Sequence, residues 1–282
     1  MPHERFPDFL GIGAQKAGTT WLHENLKRHP EVWTPWVKEV QYFNEVHIPG
    51  HRAWIGNHRR EHAQRAIHGL LQRNPGRPYN LETLHGIASI AVTPASDAWY
   101  GRVFSHAPAD RICGEITPEY GLLPRAGIAH VRRLCPRARI ILLLRDPIER
   151  TWSHLRMLAK GNPQIDFRQA AANEDVRQRA NYPRMIRDWG RAFGEDALFV
   201  AFAEEIAADP HAVLRRVCGF LGIGYDAAHF PKATERVHVG QDMPLPEALH
   251  AVLRESLRPF YEALLPLHPE AAQRWMRQHD MV

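Results

Sequence analysis

The chain has 282 residues, of which 44% are hydrophobic and 24% charged, and its formal net charge is +5. This composition suits a globular protein with a buried core, and since no signal-peptide or membrane-spanning apolar run is present, we expect a cytoplasmic protein. The three cysteines are widely spaced and the basic residues are dispersed, which indicates no disulfide framework, no cysteine zinc site and no nucleic-acid partner.

The first predicted element is a strand–loop–helix unit at residues 9–22, FLGIGAQKAGTTWL. A short apolar run leads into a glycine-rich turn with Lys16 and then into a helical pattern, so that helix N-terminal N–H groups and the lysine favour an anion. Thr19 or Thr20 can cap this helix. The unit is P-loop-like but not a Walker A motif, because that motif has lysine directly after its last glycine, whereas Lys16 precedes Gly18.

The region from about 47 to 110 is rich in His, Arg, Pro and Gly and poor in strand patterns. We interpret it as loops and helices inserted over one side of the domain, where substrate specificity would reside. It contains a segment, HRREH from His58 to His62, that fits the HxxEH zinc-peptidase pattern and places two histidines on one helix face. A zinc peptidase is therefore an alternative interpretation, although the sequence offers no clear third ligand.

Further along the chain, predicted strands alternate with helices. Apolar runs predict strands at 111–116, 139–144 and 197–201, and the unbroken run at 139–144 is typical of a parallel strand buried on both faces. Helical patterns lie at about 128–134 and after Asp209-Pro210. The alternation predicts an α/β protein, with a three-layer α/β/α fold around a central parallel sheet, in a single domain that spans the chain.

A second anion site is predicted after the strand at 139–144. The strand delivers Arg145 to the same edge of the sheet as the first loop, and the following residues start a helix that carries Ser153. A guanidinium and a hydroxyl together suit a second phosphate group. In the alternative interpretation, Arg145 pairs with Asp146 or Glu149, and Ser153 is an ordinary surface residue.

Three motifs occur together in this order: KAGTT at 16–20, KEVQYF at 38–43 and LLRDPIERTWSH at 143–154. With this combination the chain resembles sulfotransferases that use 3′-phosphoadenosine 5′-phosphosulfate (PAPS). It is most similar to the branch that contains the heparan sulfate N- and O-sulfotransferases and their bacterial relatives. Residues 181–223 also resemble the family pattern, whereas 47–110 match it weakly. The resemblance implies PAPS as co-substrate, adenosine 3′,5′-bisphosphate (PAP) as product, and no required metal.

The resemblance also implies which residues contact the nucleotide. The loop expected to hold the 5′-phosphosulfate consists of Lys16, Ala17, Gly18, Thr19 and Thr20. Arg145 and Ser153 match the pair that binds the 3′-phosphate. Trp21 and Tyr182 are expected near the nucleotide, with packing in the core as the alternative for Trp21. Arg236 is expected to contact a phosphate, with an ordinary surface position as the alternative.

For the chemistry, the resemblance implies Glu39 as general base, Lys38 beside it as a ligand for sulfonate or substrate, and Lys16 as the group that stabilises the leaving phosphate. The acceptor would be a hydroxyl or amine of a glycan or small molecule, reacting in line. Glu115 and His106 are the alternative bases. The segment GEITPEY carries two glutamates where heparan sulfate enzymes often have lysine, and a carboxylate near the acceptor would disfavour a polyanion.

Two further functions stay open on the sequence alone. A nucleotide-dependent phosphotransferase would use the same anion loop but would need magnesium. A non-catalytic nucleotide- or polyanion-binding protein would bind the bisphosphate without consuming a sulfate donor.

Overall fold

A parallel sheet forms the centre of the computed structural model, which describes residues 4–73, 78–235 and 243–282. Within these residues the strands are β1 (Phe9–Gly13), β2 (Val32–Trp33), β3 (Ile112–Ile116), β4 (Arg139–Leu144) and β5 (Leu198–Phe202). The strand order is β2-β3-β1-β4-β5, and each pairing is parallel. The predicted α/β fold with a central parallel sheet is therefore confirmed.

Helices surround this sheet and fill most of the connections between strands. They are α1 (Thr19–Leu26), α2 (Tyr42–His47), α3 (Arg52–Arg73), α4 (Leu81–Val92), α5 (Asp97–Phe104), α6 (Arg125–Leu134), α7 (Pro147–Gly161), α8 (Phe167–Ala172), α9 (Glu174–Gln178), α10 (Tyr182–Phe193), α11 (Ala203–Ala208), α12 (Pro210–Leu221), α13 (Glu247–Leu264) and α14 (Pro269–Gln278). The region from about 47 to 110 is mostly helical, as expected, and contributes α3, α4 and α5. Among the described residues, no helix is both long and apolar enough to cross a membrane.

The sheet is tightly packed because its central strands are buried on both faces. β4 lies between β1 and β5, and its residues from Ile140 to Leu144 are fully buried. On the other side of β1, a Cβ atom on Gly114 would lie 2.4 Å from the carbonyl oxygen of Phe9. The close approach of β1 and β3 therefore needs a residue without a side chain at this position.

The carboxyl ends of the central strands place three chemically important segments at one edge of the sheet. The loop with Lys16 follows β1, Thr117 follows β3, and Arg145 follows β4. The Thr117 amide donates to the carbonyl of Gly11 at 2.8 Å, which ties the end of β3 to β1. Ligands of open parallel sheets bind at this edge.

Candidate active site

The loop between β1 and α1, residues 14–18, has a left-handed backbone at two positions. We call it the Lys16 loop. Lys16 has φ 72°, and Gly18, the N-cap residue of α1, has φ 100°. The N-cap has no side-chain hydrogen bond, so the prediction that Thr19 or Thr20 caps the helix is wrong. Thr19 is instead a buried first-turn residue, and the Thr20 hydroxyl accepts a hydrogen bond from Lys38 Nζ at 3.0 Å.

Positive charges converge on Lys16 from several elements. Burial, followed by the charges of Lys160, Arg145, Arg156 and Lys38, lowers the pKa of Lys16. Like charges disfavour one another's charged forms, and an anion bound among these side chains would reduce their mutual repulsion. The arrangement has the charge and the position expected of an anion site.

Helix α7 contributes one face to this cluster. Ser153 is half-buried, and Arg156 and Lys160 follow it at helical spacing on the same face. Sequence reasoning identified Ser153 but missed the two basic residues. The signal was available, since residues three and seven positions apart in a helix share a face.

Arg145 lies at the end of β4, where its side chain and its backbone each have a defined partner. Its guanidinium pairs with Glu149 at 3.0 Å, which is the ion pair considered as the alternative interpretation of this motif. The hydroxyl of the fully buried Tyr182 donates to the Arg145 carbonyl at 2.8 Å. Burial raises the pKa of Tyr182, so it is a neutral donor here. Tyr182 thus anchors the backbone that presents Arg145.

The segment of residues 38–42, which we call the Glu39 turn, is joined by Lys38 to the first turn of α1, directly after the Lys16 loop. Lys38 Nζ lies 2.8 Å from Glu39 Oε1 and, as above, donates to Thr20. Glu39 has φ 61° and Gln41 has φ 60°, both in the left-handed region that ordinary residues seldom adopt. The Gln41 amide lies 3.4 Å from Glu39 Oε2. The structure therefore brings the expected base next to the expected anion loop.

Buried side chains form hydrogen bonds with the backbone of the Glu39 turn. The Val40 amide donates to Glu115 Oε2 at 3.0 Å. Arg59, on α3, donates to the Val40 carbonyl at 2.8 Å and to the Gln41 carbonyl at 3.1 Å. Local strain of this kind persists where surrounding structure fixes the backbone. Sequence reasoning assigned no role to Arg59, although it named the HRREH segment.

Glu115 is a buried hydrogen-bond acceptor. Its side chain is 2% exposed and accepts hydrogen bonds from the hydroxyls of Tyr100 at 2.7 Å and Tyr120 at 2.8 Å, besides the Val40 amide. Burial raises its pKa. Glu119 is also buried. The idea that these two glutamates present negative charge to the acceptor is therefore wrong, and Glu115 is occupied as a structural acceptor.

The remaining predicted residues lie in varied surroundings. His106 packs against the Trp36 ring at 5.0 Å, and burial lowers its pKa. Trp21 is 5% exposed and belongs to the hydrophobic core, where its Nε1 donates to the Ala233 carbonyl at 2.7 Å. Arg236 lies outside the described residues. The core position of Trp21 matches the packing alternative.

The HRREH segment forms part of α3, and the rings of its two histidines pack against each other at a tilt. The ring centroids of His58 and His62 are 4.0 Å apart. Burial, followed by the charge of His58, lowers the pKa of His62 to about 3. In the described part of the chain, no group of three or more His, Cys, Asp or Glu residues is arranged to hold a metal ion.

Comparison with known proteins places this site in a family. The model of the sulfotransferase family matches residues 7–227, which include the Lys16 loop, the Glu39 turn and Arg145. The chain belongs to the sulfotransferase family. The resemblance inferred from the sequence motifs is thus confirmed.

Individual relatives are distant, and they cover different shares of this chain. Human carbohydrate sulfotransferase 15 is 22% identical over 95% of this chain and 54% of its own length. Mouse heparan sulfate glucosamine 3-O-sulfotransferase 3B1 is 26% identical over 45% of this chain and 35% of its own length. The chain therefore spans about half the length of the first of these relatives and about a third of the second.

Solved structures share the same architecture. A sulfotransferase from Alicyclobacillus acidocaldarius matches with a TM-score of 0.64 at 23% identity, over 93% of this chain and 95% of its own. The sulfotransferase domain of the Synechococcus PCC 7002 olefin synthase matches with a TM-score of 0.61 at 22% identity, over 92% and 96% of the two chains. At this identity the match establishes the fold.

Proposed function

We propose that this sulfotransferase uses PAPS as its donor and transfers the sulfuryl group to a hydroxyl or amine, with Glu39 as general base. One observation carries the proposal. Lys38 connects Glu39, at 2.8 Å, with Thr20, at 3.0 Å, so the Glu39 carboxylate is linked to the first turn of the helix that follows the Lys16 loop. A base next to an anion-binding loop is what transfer of a sulfuryl group to a neutral nucleophile requires.

The residues present fit a donor with phosphate groups at two ends. The Lys16 loop precedes a helix N-terminus and would hold the 5′-phosphosulfate. Arg145 and Ser153, beyond the end of β4, would hold the 3′-phosphate. Lys16 and Lys38 would counter negative charge on the sulfonate and the leaving phosphate. Arg236 remains a proposed phosphate contact, and Tyr182 is proposed to act on the nucleotide site through the Arg145 backbone, whereas Trp21 is packed in the core.

PAPS, when bound, supplies an activated sulfuryl group with a good leaving phosphate. The protein has to bring the acceptor into line with it and remove a proton from the attacking oxygen or nitrogen. Glu39 would accept that proton. Lys38 pairs with Glu39 and keeps a positive charge next to the reacting groups, which favours the departing anion.

We propose a glycan or a small polar metabolite as the acceptor. The names of two relatives, carbohydrate sulfotransferase 15 and heparan sulfate glucosamine 3-O-sulfotransferase 3B1, support a carbohydrate. The buried positions of Glu115 and Glu119 remove the sequence-based argument against an anionic glycan. Neutral and sulfated oligosaccharides therefore belong in the same acceptor screen.

Nucleotide binding tests the donor assignment. Calorimetry with PAP should give saturable binding to the wild-type protein, and Arg145→Ala should weaken it at least about tenfold, through loss of charge-assisted hydrogen bonds. Arg187→Ala, at an exposed position on α10, is a matched control and should leave the affinity unchanged. Failure of folded wild-type protein to bind PAP at micromolar to millimolar concentration would reject the proposal.

Turnover tests the base and separates the competing functions. A panel of acceptors with ³⁵S-labelled PAPS, in the presence of EDTA, should yield a labelled product. Glu39→Gln should retain PAP affinity within about threefold and lose at least about a hundredfold in kcat, as expected when a general base is removed. Near-normal turnover in Glu39→Gln would place the base elsewhere, and strict dependence on magnesium with ATP would favour a phosphotransferase.

A further inference from the structure

A buried carboxylate connects the Lys16 loop with the Glu39 turn. Glu119 is 4% exposed and lies just after β3. Its Oε1 accepts a hydrogen bond from Gln15 Nε2 at 3.1 Å, and its Oε2 accepts one from Gln41 Nε2, also at 3.1 Å. Gln15 directly precedes Lys16 in the chain, and Gln41 follows Glu39 by two residues. A single side chain thus contacts both halves of the proposed site.

The charge of Glu119 is compensated by a buried arginine, Arg179. Arg179 is 7% exposed, and its Nη1 lies 3.3 Å from Glu119 Oε1 and 3.2 Å from Gln15 Oε1. Its Nη2 donates to Asp175 Oδ2 at 2.9 Å. A carboxylate that is paired and fully hydrogen-bonded can be kept in a buried position. The Glu119–Arg179 pair is therefore fixed in position, and its hydrogen bonds orient the side chains of Gln15 and Gln41.

The Gln41 amide is the link to the proposed base. Its Nε2 lies 3.1 Å from Glu119 Oε2 and 3.4 Å from Glu39 Oε2, so one amide group lies between two carboxylates. Because a carboxylate only accepts hydrogen bonds, Glu119 keeps the NH₂ end of Gln41 facing this region. The same NH₂ group then has a hydrogen available for Glu39.

The backbone at these positions needs such support. Lys16, Glu39 and Gln41 have φ of 72°, 61° and 60°, and such conformations cost energy in residues other than glycine. Glu119 contacts the side chain of Gln41 itself and that of the residue preceding Lys16. Its hydrogen bonds therefore act on both strained segments.

We propose that Glu119 is a positioning residue of this sulfotransferase: through Gln15 it orders the Lys16 loop, and through Gln41 it orients Glu39. The inference rests on the proposed function, because it assigns Glu119 to the donor site and the base of that reaction. The side chain of Glu119 contacts Gln15, Gln41 and Arg179, which makes its proposed role one of positioning. Arg179 has the supporting role of keeping the Glu119 carboxylate in place.

The test compares variants that remove one connection at a time. Gln15→Met should weaken PAP binding by about three- to tenfold with a smaller change in kcat, because it disconnects only the Lys16 loop. Gln41→Met should lower kcat by about tenfold while the Kd for PAP stays within twofold. Glu119→Gln should show both losses, and Glu119→Asp, which retains the charge, should recover part of each.

Two further measurements separate positioning from general stability. Asp188→Asn is the matched control, since Asp188 is a largely buried carboxylate that pairs with Arg125 at 3.1 Å. Hydrogen exchange of the nucleotide-free protein should speed up at residues 15–18 and 39–42 in Glu119→Gln and remain unchanged there in the control. Urea unfolding gives the stability of each variant, and kinetics are recorded where every variant is folded.

The outcomes for the two proposals are distinct. If wild-type protein neither binds PAP nor consumes PAPS, the proposed function fails. If wild-type protein is active but Glu119→Gln and Glu119→Asp keep kcat and PAP affinity within twofold, or change them only as much as Asp188→Asn does, the positioning role is rejected. If Glu119→Gln does not fold, Gln15→Met and Gln41→Met decide the question. The role is rejected if Gln15→Met does not mainly weaken PAP binding and Gln41→Met does not mainly lower kcat.

Discussion

Arg59 offers a direct test of how the Glu39 turn is held. This arginine on α3 is 4% exposed, and it donates to the buried carbonyls of Val40 at 2.8 Å and Gln41 at 3.1 Å. Its guanidinium also pairs with Glu45 at 2.6 Å and lies 4.6 Å from the centroid of the Trp99 ring. Replacement by methionine removes these interactions while filling much of the same volume.

The expected cost follows from those contacts. Two hydrogen bonds from a charged donor contribute about 1.5–3 kcal/mol each, and the contact with the Trp99 ring adds about 0.5–2 kcal/mol. Relief from burying the guanidinium offsets part of this sum. We therefore expect Arg59→Met to lower the free energy of unfolding by about 3–5 kcal/mol, the range for breaking a buried charge pair. Arg59→Lys keeps the charge but not the fork of donors, and should cost about 2 kcal/mol.

Urea unfolding followed by circular dichroism measures these differences, and PAPS turnover at low urea reports on the turn itself. Arg60→Met is the control, because Arg60 is the exposed neighbour on the same helix and should change the free energy by less than about 0.5 kcal/mol. Arg59→Met should also lower kcat in fully folded protein. A cost below about 1 kcal/mol, or one equal to that of Arg60→Met, would refute this account of the turn.

Three further predictions concern the sheet, the second anion site and the response to acid. Gly114→Ala would place a Cβ atom 2.4 Å from a backbone oxygen of β1, so thermal unfolding should show a loss of about 1–3 kcal/mol or more; an unchanged melting temperature would contradict this packing. Glu149→Gln removes the carboxylate that pairs with Arg145 at 3.0 Å, so PAP should bind roughly threefold more tightly at low salt, and weaker binding would argue against Arg145 as a phosphate ligand. Burial lowers the pKa of His23 to about 3 and that of His154 to about 2, so both side chains are neutral in the folded protein. Their contribution to the free energy of unfolding is therefore fully present above the unfolded pKa of about 6.5 and is lost as the pH falls below it. Urea unfolding between pH 7 and 5 measures the free energy of unfolding, which should fall less steeply in His23→Asn than in wild type, by about 1.4 kcal/mol per pH unit below pH 6. An unchanged slope would contradict the assignment.

The sheet was predictable where burial leaves a clear pattern in the sequence. β4 is buried on both faces, and its apolar run predicts the observed bounds, Arg139–Leu144. The last strand was predicted one residue early, at 197–201 instead of Leu198–Phe202. β2 was missed, because its two residues, Val32–Trp33, are too few to show any periodicity.

The site was predictable for residues that directly follow strands and not for those brought in by tertiary packing. Lys16 and Arg145 come after β1 and β4, where parallel sheets bind ligands, and the motifs around them are local. Arg59 and Glu119 are buried ionic residues, and in a sequence they cannot be told from surface charges. Arg59 even lies within the HRREH segment, where the spacing of the histidines suggested a metal site and the arginine between them proved to hold the Glu39 turn.

The energetic requirements of the two loops explain why their support has to be distant in sequence. A left-handed residue other than glycine costs roughly 1–2 kcal/mol, and the structure holds Lys16, Glu39 and Gln41 in that region. Much of the support for these two segments comes from residues outside them. Arg59 and Glu119 come from α3 and from the segment after β3, and each contributes charge-assisted hydrogen bonds of comparable or greater strength. A loop strained by its own sequence and fixed by buried charges from elsewhere loses its geometry when either charge is removed, even though every residue that would touch the donor is still present.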